Sequence, residues 1–454
     1  MGILFGTDGI RGKANYYPMT CEIALRTGKA VGTFVKENGY TSVVIGKDTR
    51  ISGDMLEAAL SSGIASTGID VIQAGVLPTP GIAFLCSDIQ EAGAGIVISA
   101  SHNPFSDNGI KIFKHNGTKL SDEEEIKIES LILNTEIVSQ PDIGKIFIIS
   151  NGLKKYTKFL LSKFPFKKPV KKLKIIIDCS NGAASKISRM VFNEGLFETC
   201  FINNSPNGTN INDNCGSQHT TPLRQKLVTE KADLGIAFDG DADRLIAVDN
   251  TGDEITGDKI LAICANHAKQ KNRLQNNIVV STIMSNVGLT EFLTNLGIRH
   301  IRADVGDRKV LEEMQKYDAV IGGEDSGHMI FLDHHTTGDG MLSALKLMEV
   351  MMETGYSLSR IASAITTYPQ TLMNVSVDES RPNFMKIKPI VDTIRTIKNK
   401  LGQKGRVLIR YSGTQPLLRV MVEGPDQKTT DQFCNEICDS IKANMKKAHT
   451  NTTE

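Results

Sequence analysis

No stretch of about eighteen apolar residues occurs in this 454-residue chain, which excludes a membrane-spanning helix at the level of sequence. There is no excess charge of either sign. A formal net charge of +1 argues against a dedicated nucleic-acid or membrane-surface protein, so any basic patch must be local. There is no CxxC pair and no disulfide framework: the eight cysteines are scattered, at 21, 86, 179, 200, 215, 264, 434 and 438. Cys434 and Cys438 lie one helical turn apart and are read as helix packing rather than half a metal site. Reduced thiols suit the cytoplasm. The first residues, "MGILFGTDGIRG", lack the basic-then-apolar pattern of a signal peptide, and position six is not the Ser or Thr that myristoylation expects. The expected location is therefore cytoplasmic. No GxSxG occurs either, which excludes a hydrolase-type nucleophile elbow.

What is present is alternation. "TSVVIG" (41–46) reads as a strand, "GDMLEAALSSGIAST" (53–67) as an amphipathic helix and "DVIQAG" (70–75) as a strand. The pattern restarts at "KKLKIIIDCSNGAAS" (171–185) and again at "NNIVVSTIMSNVGL" (276–289). Each restart couples a β-branched strand, a small or polar loop and a helix. This predicts an α/β protein with right-handed βαβ units, mainly parallel sheets and topologically similar domains. The length suits about three or four domains. Soft junctions at "FKKPVKK" (166–172), "DNTGDEITGD" (249–258) and "TTYPQT" (366–371) place them near 1–152, 153–255, 256–368 and 369–454.

Four stretches can carry chemistry. In "FDGDADR" (238–244), Asp239, Asp241 and Asp243 alternate directly after an apolar strand. Three carboxylates packed this tightly repel unless a hard divalent cation joins them, and Gly240 and Ala242 leave room for convergence. The loop is not an EF-hand, because strands flank it and the late Glu is missing. The bland alternative is a solvated acidic turn. In "GIVISASHNPFSDNGIKIF" (95–113), an apolar run ends at Ser99, Ser101, His102 and Asn103, with Lys111 ten residues beyond Ser101. Adjacent residues of an extended chain point apart, which disfavours a Ser101–His102 dyad. Phosphate handling and simple turn capping both remain open for Ser101. "RYSGTQP" (410–416) supplies Arg410 and the Ser412, Gly413, Thr414 turn, suited to an anion. "GGEDSGHMIF" (322–331) alternates Glu324, Ser326 and His328, which in an extended segment would share one side and could hydrogen-bond a sugar. Arg11 in "FGTDGIRG", Lys47 and Arg50 in "IGKDTR", and Arg302, Arg308 and Lys309 around "ADVGDRKV" each read, taken singly, as surface charges.

Together these stretches resemble the α-D-phosphohexomutase family, over almost the whole chain and in the family's order. "GIVISASHNPFSDNGIKIF" is similar to its phosphoserine loop, "DGDADR" to its metal loop, "GEDSGH" to its sugar-binding loop and "RYSGTQP" to its phosphate-binding loop. The resemblance implies three like α/β domains with mixed, largely parallel sheets and a smaller α+β C-terminal domain, around a central cleft. "IGKDTRISG", "TIMSN", "VGDRKVLEEM" and "TTGDG" match the branch acting on glucosamine phosphates, and Asp307 stands where the phosphomannomutase/phosphoglucomutase branch usually has His.

The implied reaction interconverts glucosamine 6-phosphate and glucosamine 1-phosphate and feeds UDP-N-acetylglucosamine synthesis. It passes through phosphorylated Ser101 and a 1,6-bisphosphate, with glucosamine or glucose 1,6-bisphosphate as primer. By resemblance, Mg²⁺ is held by Ser101 (through its phosphate), Asp239, Asp241 and Asp243. Lys111, Arg11, His328 and Arg244 are catalytic, with Lys111 first as general base. Glu324, Ser326, Arg308, Arg410, Ser412, Gly413 and Thr414 bind substrate. The implied partner is a phosphosugar, with no nucleic acid and no membrane; a homodimer is left open. Three positions depart from the family. Ala242 replaces a usual Gly, a small change if its φ is negative. Asp325 replaces an amide or Met and is expected to face away from Glu324. Gln415 replaces Glu. The alternatives are the phosphomannomutase/phosphoglucomutase activity, a hydrolase releasing phosphate to water, and a non-catalytic sugar-phosphate binder.

Overall fold

The computed structural model describes residues 3–6, 8–134, 141–167, 172–378, 380–402, 404–412 and 416–448. The chain forms two compact units, Met1–Met284 with Ile298–Ala364, and Ser285–Gly297 with Ile365–Glu454.

The first unit holds three sheets built on one plan. The first sheet contains β1 (Ile10–Lys13), β2 (Ser42–Lys47), β3 (Asp70–Val76), β4 (Ala92–Ile98), β5 (Asp107–Lys114) and β6 (Ile146–Ile148). Their order is β1-β5-β4-β2-β3-β6. β4, β2, β3 and β6 run parallel, and β5 turns back antiparallel on β4. Every residue of β4 is buried, as its continuous apolar run requires of a strand covered on both faces. The second sheet contains β7 (Lys174–Asp178), β8 (Glu198–Ile202), β9 (Leu234–Phe238), β10 (Leu245–Asp249) and β11 (Glu254–Ile255), ordered β11-β10-β9-β7-β8. The third contains β12 (Ile278–Thr282), β13 (Arg299–Ala303), β14 (Ile321–Gly323) and β15 (Met329–Phe331), ordered β13-β12-β14-β15. In all three, parallel strands fill the centre and an antiparallel strand follows toward one edge. The turn that makes the reversal lies between β4 and β5, between β9 and β10, or between β14 and β15.

The second unit has a wholly antiparallel sheet, β16 (Gln370–Ser376), β17 (Arg406–Tyr411) and β18 (Leu417–Glu423), ordered β16-β18-β17. The helices Lys388–Leu401 and Gln427–Ala448 complete its core through Ile390, Ile397, Cys434, Ile437, Cys438 and Ile441. Cys434 and Cys438 thus pack a helix, and all eight thiols are unpaired. Among the described residues no helix is long and apolar enough to cross a membrane.

This plan explains the four motifs. "SASHNPFS", "DGDADR" and "EDSGH" each join two antiparallel strands, so each is a polar reversal at the end of an apolar strand, and "RYSGTQP" spans the end of β17 and the residues before β18.

Candidate active site

Ser101 follows the buried strand β4 and is itself 1% exposed. Its N–H donates to Ser99 Oγ at 2.9 Å, and Ser99 Oγ–H donates to Asp48 Oδ2 at 2.6 Å. Asp48 also pairs with Arg50 at 2.9 Å. Arg50 then donates to three carbonyls of the loop: Ser101 at 2.9 Å, Asn103 at 2.8 Å, and Pro104. Far from being a surface charge, Arg50 is 3% exposed and clamps the loop from within. Asn212, beyond β8, donates to the same Ser101 and Asn103 carbonyls at 2.9 and 3.0 Å. So held, Ser101 has φ +52°, in the left-handed region. Adjacent side chains therefore do not diverge as in an extended strand, and His102 Nδ1 lies 3.4 Å from Ser101 Oγ. The nearer partner is Asp239, whose Oδ2 accepts the Ser101 hydroxyl at 2.5 Å. Burial, together with Arg244 and Arg11, pushes His102 down to about 4, so it is neutral near pH 7.

Asp239, Asp241 and Asp243 are buried and each aims one carboxylate oxygen to within 4.8 Å of the others'. The Oδ1 atoms of Asp241 and Asp243 are buried without a hydrogen-bond partner among the described residues. Hard oxygens, convergence and two orphaned acceptors fit a divalent cation such as Mg²⁺. Burial raises Asp239 well above the usual carboxylate range, and the charges of Asp243 and Asp241 add to this. The backbone supplies the convergence. Gly240 passes so close to the Ser101 carbonyl that a Cβ would stand 2.5 Å from it. Ala242 has φ +56°, so the condition under which its replacement of glycine would be a small change is not met: this alanine occupies a conformation that favours glycine. Thr79 Oγ1, at the start of the helix Thr79–Asp88, donates to Asp241 Oδ2 at 2.6 Å.

Cations frame the loop. Lys111, on β5, reaches Asp241 at 2.8 Å, Asp243 at 3.3 Å and Asp8 at 3.3 Å. Burial alone would lower its ammonium, but Asp241, Asp8 and Asp243 outweigh it and raise it well above the ordinary value. In this arrangement three carboxylates hold Lys111 as a cation. His328 is 2% exposed, with Asp243 at 3.7 Å and Asp307 at 3.4 Å. Burial opposes its protonation, and those two aspartates overcome this. Arg11 donates to Asp8 at 2.5 Å. Arg244 sits 3.8 Å from Asp243. Its buried Nε has no hydrogen-bond partner among the described residues, which leaves a donor for an incoming anion.

Glu324, Ser326 and His328 do not share one side of an extended segment. Residues 324–327 form the turn between β14 and β15, with Gly327 at φ +91°. A Cβ on Gly327 would stand 2.1 Å from the Leu245 carbonyl oxygen, and Leu245 N–H donates to the Gly327 carbonyl at 3.0 Å. The turn is thereby stitched to the end of the metal loop. Glu324 Oε1 accepts from Gly306 N–H at 3.2 Å, and Ser326 Oγ is buried without a hydrogen-bond partner among the described residues. Asp325 Oδ1 accepts from Asp258 N–H in the first turn of the helix Gly257–Gln270, so this departure from the family caps a helix. Arg308, expected among the substrate ligands, instead meets Asp122 at 2.8 Å, Glu125 at 3.2 Å and Glu312 at 3.5 Å, which match its charge.

In the second unit, Ser412 Oγ is buried without a hydrogen-bond partner among the described residues, and Arg410 lies opposite Arg419 across β17 and β18. Gly413, Thr414 and Gln415 lie outside the described residues. The sequence reading passed over Asp8, Asp48, Thr79, Lys119 and Asn212. Only Asp8 and Asp48 had a local signal, as carboxylates in the same short motifs as Arg11 and Arg50.

Four family models match the chain, all described as phosphoglucomutase/phosphomannomutase: domain I at 2–138, domain II at 154–252, domain III at 256–368 and the C-terminal domain at 372–440. A phosphoglucosamine mutase of Desulforapulum autotrophicum is 58% identical, covering 97% of this chain and 99% of its own. One of Syntrophobacter fumaroxidans is 51% identical, covering 98% and 99%. Among solved structures, a phosphoglucomutase/phosphomannomutase family protein from Burkholderia thailandensis superposes with a TM-score of 0.82 at 22% identity, covering 97% of both chains. The N-acetylphosphoglucosamine mutase of Aspergillus fumigatus, in complex with GlcNAc-6P and magnesium, superposes at 0.68 with 16% identity, covering 98% of this chain and 96% of its own.

Proposed function

The chain belongs to the phosphoglucomutase/phosphomannomutase family, and from that premise we propose that it interconverts glucosamine 6-phosphate and glucosamine 1-phosphate, the step that feeds UDP-N-acetylglucosamine synthesis. The observation that carries the reading is the Ser101 hydroxyl, buried and 2.5 Å from the first carboxylate of the three-aspartate loop. Phosphorylated Ser101 gives its phosphoryl group to the free hydroxyl of the sugar phosphate: the P–O bond to Ser101 breaks and one to the sugar forms, while the hydroxyl gives up its proton and Ser101 Oγ takes one up. The resulting 1,6-bisphosphate reorients, and its other phosphoryl group returns to Ser101.

Asp239, Asp241 and Asp243 would hold Mg²⁺, with a phosphoserine oxygen as a further ligand. When bound, that ion neutralises charge on the transferring group. The chain's own residues do the rest. Lys111 and Arg244 present fixed positive charge in a buried site, where it needs no reorganisation as charge moves. Arg50 and Asn212 fix the loop so that Ser101 Oγ faces the carboxylates. Glu324 and Ser326 bind sugar hydroxyls placed alike in the two orientations. Arg410 and Ser412, with Gly413 and Thr414, hold the phosphate that is not reacting. The domain division near 1–152, 153–255, 256–368 and 369–454 belongs to the same reading, supported by the four matched ranges, as does a cytoplasmic location, supported by the unpaired thiols.

The test is Ser101→Ala, assayed with glucosamine 6-phosphate and trace glucose 1,6-bisphosphate. Turnover should vanish while the fold survives, and intact mass should show wild type, but not the variant, gaining one phosphoryl group. A variant near the wild-type rate, or a wild type that steadily releases inorganic phosphate, overturns the mutase reading. Relative rates on glucosamine, glucose and mannose phosphates separate the amino-sugar activity from that of the sister branch.

A further inference from the structure

Three aspartates and three basic side chains alternate in one closed circuit. Asp8 takes Lys119 on Oδ1 at 2.5 Å and Lys111 on Oδ2 at 3.3 Å. Lys111 meets Asp243 at 3.3 Å, and Asp243 faces His328 Nδ1 at 3.7 Å. His328 Nε2 faces Asp307 at 3.4 Å, and Asp307 closes the circuit by an ion pair with Lys119. No member's side chain is more than 19% exposed. The six residues come from three separate matched segments of the chain: Asp8, Lys111 and Lys119 from the first, Asp243 from the second, Asp307 and His328 from the third.

Lys111 and His328 already have places beside the metal loop. Lys119 does not: among the described residues its ion pairs are to Asp8 and Asp307, and neither belongs to that loop. We propose that Lys119 is a positioning residue for phosphoryl transfer, holding Asp8 and Asp307 together so that Lys111 and His328 stay turned onto Asp243. The proposal rests on the mutase reading above.

The physical reason is competition for cations. Asp8 is shared by Lys111, Lys119 and Arg11, the last at 2.5 Å. Asp307 is shared by Lys119 and His328. Without Lys119, each aspartate has one partner fewer in a buried setting where unmatched charge is expensive. Asp8 then draws Lys111 away from Asp241 and Asp243, and Asp307 draws His328 away from Asp243. A residue that does not touch the metal loop thereby decides where Lys111 and His328 stand. A plain staple between segments would behave differently, lowering the melting temperature but leaving the folded enzyme's kcat intact.

Lys119→Met should lower kcat about 100-fold with KM changed by less than about threefold, since Lys119 sets geometry and binds no sugar. Lys119→Met combined with Asp307→Asn leaves Asp8, Lys111, Asp243 and His328 as a balanced chain. It should therefore recover about tenfold over Lys119→Met alone, a non-additivity that marks coupled sites. Folding of each variant is checked by circular dichroism and melting temperature. If Lys119→Met does not fold, Asp307→Asn breaks the same circuit and carries the same kcat test. A wild-type kcat in a folded single variant, or losses that simply multiply in the double variant, would overturn the proposal. The mutase reading is judged separately, on the wild-type rate with glucosamine phosphates; the circuit is judged on variant-to-wild-type ratios for whichever phosphosugar the wild type turns over.

Discussion

Replacing Arg50 by lysine keeps the charge and should still cripple the enzyme. The guanidinium serves four acceptors from a buried position: Asp48 through Nε at 2.9 Å, Ser101 and Asn103 through one terminal nitrogen at 2.9 and 2.8 Å, and Pro104 through the other. One ammonium nitrogen cannot occupy the three places of that planar fork. It can stay with Asp48 and reach one carbonyl, which leaves the rest with one donor fewer. The Ser101 and Asn103 carbonyls keep a second donor in Asn212, at 2.9 and 3.0 Å, so their loss is partial. The Pro104 carbonyl likewise keeps the Asp107 N–H at 3.1 Å, so each carbonyl is weakened and none is fully stripped. A stranded buried acceptor costs about 1–3 kcal/mol, so weakened ones place the loss of stability at the low end, about 1 kcal/mol, too little to unfold the protein. The effect on rate should be larger in kind. Ser101 sits in the segment these bonds fix, and a displacement of about 1 Å at a reacting group can reduce kcat about 100-fold. Expected, then, is a folded Arg50→Lys variant with a melting temperature lowered by a few degrees and kcat reduced by about that factor. The measurements are thermal denaturation and steady-state kinetics. A kcat within about twofold of wild type would refute the reasoning and assign the loop's rigidity to Asn212 and the Ser99–Asp48 bond alone.

Two further outcomes follow from buried carboxylates. Mg²⁺ at about a hundred times its Kd should stabilise the wild type by about 2.7 kcal/mol. Asp241→Asn, with one of three converging charges removed, should lose most of that gain in a thermal-shift titration; an equal shift in the variant would remove the aspartate loop as the site. Asp339 is fully buried, caps the helix Gly340–Thr354 through Leu342 N–H at 3.0 Å and accepts the Tyr156 hydroxyl at 2.7 Å. Burial pushes it up to about 6 from 3.8. Its folded value is thus above its unfolded value, so the unfolded chain releases this proton first as pH rises. The group therefore subtracts stability progressively between about pH 4 and 6 and by a constant amount above, about 3 kcal/mol in all. Asp339→Asn should melt higher than wild type at pH 7 with the gap closing toward pH 4; a gap independent of pH would refute this.

The sequence reveals the fold class and the three motifs of the first unit for one reason: each motif is a polar reversal between an apolar strand and the strand that folds back on it, and both signals are local. β9, "DGDADR" and β10 can be read within sixteen residues, 234–249. What local reading misses is any charge whose partner is distant. Arg50 looks like an ordinary exposed cation at a strand end, because its acceptors at 101–104 are backbone carbonyls and carry no sequence signature. Lys119 and Asp307 are 188 residues apart, and nothing in "NGTKLS" or "VGDRKV" announces that they touch. Backbone angle is hidden in the same way. "EDSGH" alternates like a strand until Gly327 takes φ +91°, and Ala242 counts as a mild replacement for glycine until its φ proves to be +56°. The net charge of +1 hides most of all. It suggests a chain with little electrostatic business, yet within one site Asp8, Asp239, Asp241, Asp243 and Asp307 face Arg11, Lys111, Lys119, Arg244 and His328. Opposite charges cancel in a composition; placed in alternation and buried, they fix one another's positions, and phosphoryl transfer requires that fixed field.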